Sequence, residues 1–200
     1  MQVELVTWQD IYDRCRVVAR SIRKQGIKPD LVVAIARGGF APARVLCDFL
    51  DIHDLASIKV EHYAAGAREK GEARVLFPVN AELKGRRVLL VDDVNDSGET
   101  LAMARPYLRE QAPAELHTAV LDQKQRSPEP VDFQGRLVTE WHWITYPWAA
   151  LEDLSAFIGN LPETPASLEQ ARAAGREAHG REPGDATLRD LAEYLGLSWK

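Results

Sequence analysis

Short apolar segments recur along the first two thirds of the chain and are separated by longer amphipathic stretches. Four of them stand out: LVVAIA (31–36), IKVEHY (58–63), RVLLV (87–91) and LHTAVL (116–121). Their length and their content of branched residues are typical of β-strands. The first, third and fourth are nearly continuous apolar runs, which is the pattern of strands buried on both faces of a parallel sheet.

Helical periodicity fills the intervals between these predicted strands. The first helix is predicted to begin at Thr7, where Asp10 completes an approximate capping box, and to end at Gly26. A second helix follows the RGG turn at 37–39, and a third is predicted over roughly 98–111. The alternation of strands and helices predicts an α/β fold, with a parallel sheet flanked by helices.

The character of the chain changes near residue 160. The stretch LPETPAS contains Pro162 and Pro165 and resembles a linker, and two helices are predicted after it, near 168–178 and 188–195. We therefore expect two parts: a main domain over 1–160 and a helical C-terminal tail over 161–200.

Composition narrows the class of protein. With 46% hydrophobic and 28% charged residues among 200, the chain is expected to form one domain with a small appendage, not a disordered polymer. The longest apolar run, 31–36, is far shorter than the roughly 20 residues of a membrane span, and the start lacks the features of a secretion signal. The only two cysteines, Cys15 and Cys47, lie on predicted helices, which favours a reduced, cytoplasmic protein. The net charge of -5 argues against a nucleic-acid partner.

The segment VLLVDDVNDSGET at 88–100 has the features of a ligand site. A predicted buried strand ends in Asp92 and Asp93, and a short turn then leads into a helix. Ligands of open parallel sheets bind beyond the carboxyl ends of the strands, and the N–H groups of a helix start favour an anion there. Ser97 and Thr100 add hydroxyl groups, and Gly98 allows close approach of the backbone. This arrangement suits a phosphate, with the two carboxylates available to hydroxyl groups or a divalent cation.

Each of these features alone has an ordinary structural explanation. Two acids at a strand end are often a solvated turn, and Ser-Gly-x-Thr is often a helix cap. Their order along one segment favours the ligand site. It is not a P-loop, because GxxxxGK[ST] occurs nowhere in the chain.

The extended segment VLLVDDVNDSGETL resembles the phosphoribosyl pyrophosphate (PRPP) binding motif of the type I phosphoribosyltransferases. Within that family, the stretch from about Leu31 to Trp148 most resembles the 6-oxopurine branch, the xanthine–guanine and hypoxanthine–guanine enzymes. The resemblance implies the fold of this family, with a small hood beside the sheet. It also implies transfer of the 5-phosphoribosyl group from PRPP to guanine, xanthine or hypoxanthine. The products would be a nucleoside 5′-monophosphate and pyrophosphate, with Mg²⁺ as cofactor.

The resemblance also implies roles for the residues that match the PRPP motif. Asp92 and Asp93 would hold the ribose hydroxyls and Mg²⁺, and Asp96 would be the catalytic carboxylate near purine N7. The turn with Arg37 and Gly38 would grip pyrophosphate, with an unusual or cis peptide near Ala36–Arg37. The 5′-phosphate would be bound by a continuous run of residues: Asp96, Ser97, Gly98, Glu99 and Thr100.

The base site is implied by shorter matches. Lys124 would donate to the 6-oxo group, Trp143 would stack on the base, and backbone groups near Ile144 would read its edge. Singly, such residues are more often a surface lysine and a core tryptophan. The charged loop at 64–74 occupies the position of the family's flap, and a plain solvated loop explains it equally well. Ala149 stands where this branch usually has an acid, so the preferred base stays open.

Two other functions remain compatible with these residues. One is a non-catalytic regulatory protein that senses PRPP or a nucleotide, because fold alone does not fix function. The other is a phosphoribosyltransferase for a different nitrogen base. For all of them we expect small-molecule substrates or ligands and no membrane partner. The resemblance implies a homodimer or a larger homo-oligomer.

Overall fold

The computed structural model describes residues 3–62, 73–161, 163–179 and 183–199. Eight strands occur in these ranges: β1 (Val3–Leu5), β2 (Leu31–Ala36), β3 (Leu55–His62), β4 (Ala73–Phe77), β5 (Arg87–Asn95), β6 (Glu115–Lys124), β7 (Phe133–Val138) and β8 (Trp143–Thr145). The same ranges contain six α-helices: α1 (Trp8–Lys24), α2 (Phe40–Leu50), α3 (Glu99–Glu110), α4 (Ala150–Gly159), α5 (Leu168–His179) and α6 (Asp185–Leu195). A short 3-10 helix, Pro147–Ala149, precedes α4.

The main sheet has six strands in the order β4-β3-β2-β5-β6-β7. All neighbouring pairs are parallel except β3 and β4, which are antiparallel. Parallel neighbours need a crossover connection, and α2 and α3 supply it between β2 and β3 and between β5 and β6. The predicted α/β fold with a parallel sheet flanked by helices is therefore confirmed.

The centre of the sheet is buried on both faces. Leu31, Val33 and Ile35 of β2 join one apolar cluster, to which α3 contributes Leu101 and Leu108. Val32 and Ala34, which point to the opposite face, are also fully buried. This double burial explains why the strand appears in the sequence as an unbroken apolar run.

The observed strands correct several predicted boundaries. β5 begins at Arg87 as predicted, but it does not end at Asp92 and Asp93 and continues to Asn95, so both acids lie inside the strand. Pairing with β6 keeps these polar residues extended, and the register reaches Asn95 opposite Gln123. The predicted loop at 64–74 lies outside the described residues up to position 72, and positions 73 and 74 begin β4 instead.

The chain divides into two compact units, one comprising Ile11–Trp141 and the other comprising the residues before and after it. In the second unit, β1 pairs with β8 in parallel, with Val3 opposite Trp143. Leu154 and Ile158 of α4 form an apolar cluster with Leu191 of α6. The expected division into 1–160 and 161–200 stays a prediction.

The two C-terminal helices are present, and one start differs from its prediction. α5 spans Leu168–His179, and the Ser167 hydroxyl accepts a hydrogen bond from the Gln170 N–H at 3.2 Å, as an N-cap should. α6 begins at Asp185 rather than near 188, with Gly184 at the N-cap position. Throughout the described ranges, no helix is long and apolar enough to cross a membrane.

A buried ion pair joins α1 to β6 and β7. Asp122 of β6 is 0% exposed, and its two carboxylate oxygens accept hydrogen bonds from Arg14 of α1 at 2.6 Å and Arg136 of β7 at 2.7 Å. Gly135 of β7 lies beside this contact, and a Cβ there would come within 2.7 Å of the Arg14 Cβ. The close approach of α1 to β6 and β7 therefore depends on both the charge pair and the glycine.

Asp122→Ala should lower the free energy of unfolding by about 3 kcal/mol or more, because it leaves a buried arginine without its carboxylate partner. Asp13→Ala is the control, since it removes an exposed partner of Arg16 on α1 and should cost less than about 1 kcal/mol. Urea denaturation measures both. Equal losses for the two variants would contradict the importance of the buried pair.

Candidate active site

The carboxyl ends of β2 and β5 meet at one edge of the sheet. The two strands are parallel neighbours, with Ala34 opposite Val91. A Cβ on Gly38, in the turn after β2, would lie 2.1 Å from Oδ2 of Asp93. A Cβ on Gly39 would lie 2.4 Å from the carbonyl oxygen of Val91. The glycine turn therefore packs directly against the acidic end of β5, and side chains at these positions would push the two apart.

The peptide bond between Ala36 and Arg37 is cis, as predicted. It lies at the last residue of β2, immediately before the glycine turn. Arg37 and Gly38 thus lie in the turn against the acidic end of β5.

Asp92 and Asp93 are adjacent in β5, and each carboxylate accepts a hydrogen bond from the backbone N–H of the following residue. Oδ1 of Asp92 accepts the N–H of Asp93 at 2.9 Å, and Oδ1 of Asp93 accepts the N–H of Val94 at 2.8 Å. Asp92 is only 8% exposed. Burial raises the pKa of Asp92 well above its usual value, and the neighbouring charge of Asp93 raises that pKa further. A bound cation or a set of hydroxyl donors would relieve this unfavourable burial of charge.

The donor set at Asp92 and Asp93 fits a shared magnesium ion. Mg²⁺ is usually bound through one or two carboxylates, with phosphate and water oxygens completing its coordination. No group of three or more metal-ligating side chains occurs within the part of the chain that the structure describes. Asp92 and Asp93 together supply the one or two carboxylates that this coordination takes from a protein.

The start of α3 forms the second part of the site. Its N-cap is Gly98, with φ of 86°. The Ser97 hydroxyl accepts the Glu99 N–H at a long 3.4 Å. A Cβ on Gly98 would lie 2.7 Å from the Cβ of Glu129, so the 127–129 segment closes against this turn. The positive end of the helix dipole lies here, beyond the acidic end of β5, and it favours an anion.

Asp96 lies at the centre of a third group of side chains. Its Oδ1 accepts hydrogen bonds from Nε and Nη2 of Arg126, at 2.8 and 2.6 Å. Its Oδ2 accepts the indole N–H of Trp141 at 3.4 Å. Lys124, at the end of β6, is 2% exposed and its Nζ lies 5.7 Å from the centre of the Trp141 ring. Burial lowers the pKa of Lys124, and the charge of Asp96 opposes that shift.

The structure brings together two residues that the sequence analysis assigned to one site, Asp96 and Lys124. It adds two that the sequence analysis did not assign, Arg126 and Trp141. Arg126 is one charged residue in an irregular stretch, so no periodicity distinguishes it. Trp141 is one of two tryptophans in WHW, and the family resemblance pointed to the other.

Asn95 is a buried residue at the end of β5. It is 3% exposed, and its side-chain amide donates to Oε1 of Gln123 at 2.8 Å and to the carbonyl oxygen of Glu129 at 2.7 Å. It therefore ties the end of β5 to β6 and to the 127–129 segment. These bonds fix the point from which the turn to α3 departs.

Trp143 and Ile144 lie in β8, within the second unit. Trp143 is 42% exposed, and its indole N–H donates to Oδ2 of Asp153 at 3.0 Å. Ile144 is 9% exposed and pairs with Glu4 of β1. Trp143 is therefore partly exposed, and the base-binding role of both residues stays a prediction.

Comparisons with known proteins agree with this geometry. Residues 1–152 match the family model described as the phosphoribosyl transferase domain. The xanthine-guanine phosphoribosyltransferase of Ruegeria sp. is 34% identical over 153 residues, which cover 72% of this chain and 83% of that protein. The purine phosphoribosyltransferase structure from Pyrococcus horikoshii is 32% identical with a TM-score of 0.64, covering 74% of this chain and 94% of that one. The xanthine-guanine-hypoxanthine phosphoribosyltransferase of Helicobacter pylori, 22% identical with a TM-score of 0.61, shares the fold.

A chain with this motif, this strand order and this extent of match belongs to the phosphoribosyltransferase family, and it is an enzyme. The resemblance noted from the PRPP-type motif is thereby confirmed. Residues after 152 lie beyond the family match.

Gly98→Ala should destabilise the protein more than Gly26→Ala. Both glycines have a positive φ, 86° and 73°, so each variant pays about 1 kcal/mol or more for the left-handed backbone. A Cβ at position 26 meets nothing within 4 Å, whereas one at position 98 collides with Glu129. Overpacking adds about 1–3 kcal/mol at position 98. Urea denaturation measures the difference, and equal losses would contradict the tight packing of the turn.

Proposed function

We propose that this enzyme transfers the 5-phosphoribosyl group from PRPP to a 6-oxopurine: guanine, xanthine or hypoxanthine. The observation that carries the proposal is the packing of the glycine turn after β2 against Asp93, beside the acids that precede α3. One edge of the sheet thus offers a donor-rich turn, two carboxylates and a helix N-terminus. These suit the pyrophosphate, ribose hydroxyls and 5′-phosphate of a single ligand. The purine names of the relatives support the choice of base.

The PRPP half of the proposed site uses three features in sequence. Arg37 and the backbone at Gly38 bind pyrophosphate. Asp92 and Asp93 accept hydrogen bonds from the ribose hydroxyls, and they would hold Mg²⁺ on the ligand side. When bound, Mg²⁺ neutralises charge on the pyrophosphate leaving group. The 5′-phosphate is received by the start of α3 and the turn before it: Asp96, Ser97, Gly98, Glu99 and Thr100.

The base half of the proposed site rests on complementary hydrogen bonding. A protonated Lys124 is a donor only, so it pairs with a 6-oxo group and opposes the 6-amino group of adenine. Asp96 accepts a proton from the purine at N7 as the bond to ribose forms. Trp143 offers its partly exposed ring for stacking, and the backbone near Ile144 reads the edge of the ring.

The cellular setting belongs to the same proposal. Cys15 and Cys47 are both buried free thiols, which supports a reducing, cytoplasmic location. The substrates are small molecules, and the net charge of -5 disfavours nucleic acid. We propose a homodimer or larger homo-oligomer, which light scattering would report as a mass of at least twice 22.4 kDa.

A screen of free bases with PRPP and Mg²⁺ tests the function. Guanine, xanthine, hypoxanthine, adenine and uracil are each incubated with the enzyme, and nucleotide formation is followed by absorbance. We expect turnover with at least one 6-oxopurine, little with adenine and none with uracil. Turnover of uracil alone would assign a different base, and binding of PRPP without turnover of any base would indicate a sensor.

Lys124→Met should lower kcat/KM for the preferred 6-oxopurine by about 10- to 100-fold, the loss expected for one hydrogen bond from a charged donor. It should leave the low activity with adenine unchanged or raised, because the mismatched donor is gone. Lys84→Met, at an exposed lysine, is the control and should behave as the wild type. Equal losses with both types of base would contradict the role of Lys124 in recognising the 6-oxo group.

Asp96→Asn should lower kcat by about 100- to 10,000-fold, the usual effect of removing a general base. The amide retains the size of the side chain and leaves the backbone that receives the 5′-phosphate unchanged, so PRPP affinity, measured by calorimetry, should change little. A parallel loss of PRPP affinity and kcat would show that Asp96 serves binding rather than proton transfer.

A further inference from the structure

Arg126 makes an unusual contact with the proposed proton acceptor. Its Nε and Nη2 both donate to the same oxygen of Asp96, Oδ1, at 2.8 and 2.6 Å. The other oxygen, Oδ2, receives the indole N–H of Trp141 at the longer distance of 3.4 Å. The two oxygens are therefore held unequally, with Oδ1 fixed by two short charge-assisted bonds and Oδ2 in a weaker contact.

The guanidinium of Arg126 packs on the Trp141 ring, and the residues before and after Arg126 form backbone hydrogen bonds. Its guanidinium carbon lies 4.7 Å from the centre of the Trp141 ring, a distance at which an aromatic face attracts a cation. The neighbouring backbone is also bonded, because Gln125 N–H donates to the Val138 carbonyl at 2.9 Å and Ser127 N–H to that of Lys124 at 3.0 Å. Arg126 thus extends from a hydrogen-bonded turn, and its guanidinium packs on the ring of Trp141.

Stability of the fold does not account for this arrangement. The side chains of Arg126 and Asp96 are 54% and 32% exposed, and ion pairs between exposed groups contribute little to stability. What such a contact does supply is orientation, since two donors on one oxygen restrict rotation of the carboxylate. A base whose direction is set by a third group is a recurrent feature of catalytic sites.

We propose that Arg126 is a positioning residue, which holds Oδ1 of Asp96 so that Oδ2 faces the proton of the incoming base, and that Trp141 is the platform for it. This inference rests on the proposed function, in which Asp96 is the proton acceptor. The lone pair of purine N9 forms the bond to C1′ of the ribose. The bond from C1′ to pyrophosphate breaks, with its electron pair leaving on pyrophosphate. The proton on N7 passes to Oδ2, displacing the weak Trp141 contact.

A double-mutant cycle of Arg126 and Asp96 tests the proposal. Arg126→Ala should lower kcat by about 10- to 100-fold, the scale expected when a reacting group is misplaced. Calorimetric affinity for PRPP should stay within twofold, and Arg126→Lys should recover part of kcat because an ammonium still donates to Oδ1. In the Asp96→Asn background, Arg126→Ala should have no further effect, because a residue that acts through Asp96 has nothing left to orient.

Two further variants separate positioning from structure. Arg109→Ala, at an exposed arginine of α3, should keep full activity. Trp141→Phe, which keeps an aromatic face, should retain more kcat than Trp141→Leu. All variants should unfold at the temperature of the wild type.

If the wild type turns over a purine and Arg126→Ala has an unchanged kcat, the positioning role of Arg126 is overturned and the proposed function is not. Losses that multiply in the double variant would overturn it as well, because they would mean that Arg126 acts independently of Asp96. Absence of purine turnover in the wild type would instead refute the proposed function, and this inference with it.

Discussion

The site depends on the two adjacent carboxylates of Asp92 and Asp93, which lie near the end of β5 where access to water is limited. Asp92 is nearly buried, and the neighbouring charge of Asp93 makes its ionised form still less favourable. Backbone N–H groups of the strand donate hydrogen bonds to both carboxylates, and the glycine turn leaves space for Asp93. A ligand that brings hydroxyl groups or a divalent cation would offset the remaining cost of burying these charges.

Strand order arranges the proposed reaction across the sheet. β2 ends in the turn assigned to pyrophosphate, its neighbour β5 ends in the acids assigned to ribose, and β6 ends in Lys124, assigned to the base. Leaving group, sugar and nucleophile would then lie in the order that a displacement at C1′ requires. The parallel sheet allows this, because all three strands present their carboxyl ends to the same edge.

The sequence predicted the bounds of a strand well where both faces of that strand are buried. β2 has its predicted bounds because both its faces are covered, so the apolar run and the strand coincide. β5 was expected to end at Asp92 and Asp93 because carboxylates contradict the pattern of a buried strand, yet its pairing with β6 continues to Asn95. β7 was not predicted, since FQGRLV mixes polar residues with a glycine that the close approach of Arg14 of α1 and of the Leu121 carbonyl of β6 requires.

The same contrast applies to the candidate site. The segment from Asp92 to Thr100 was found because its residues are consecutive, and order along the chain is what a sequence displays. Arg126 and Trp141 are 30 and 45 positions from Asp96, and the pairing of β5 with β6 and of β6 with β7 brings their neighbourhoods together. Contacts of this kind follow from the topology of the sheet, and no local sequence pattern predicts them.

The most direct test of the account is a crystal structure of the enzyme with a purine nucleoside 5′-monophosphate, pyrophosphate and Mg²⁺. The account predicts the phosphate within hydrogen-bonding distance of the backbone at 97–100, and the ribose hydroxyls against Asp92 and Asp93. It also predicts pyrophosphate at the turn with Arg37. A nucleotide bound elsewhere, with those carboxylates paired only to protein groups, would contradict it.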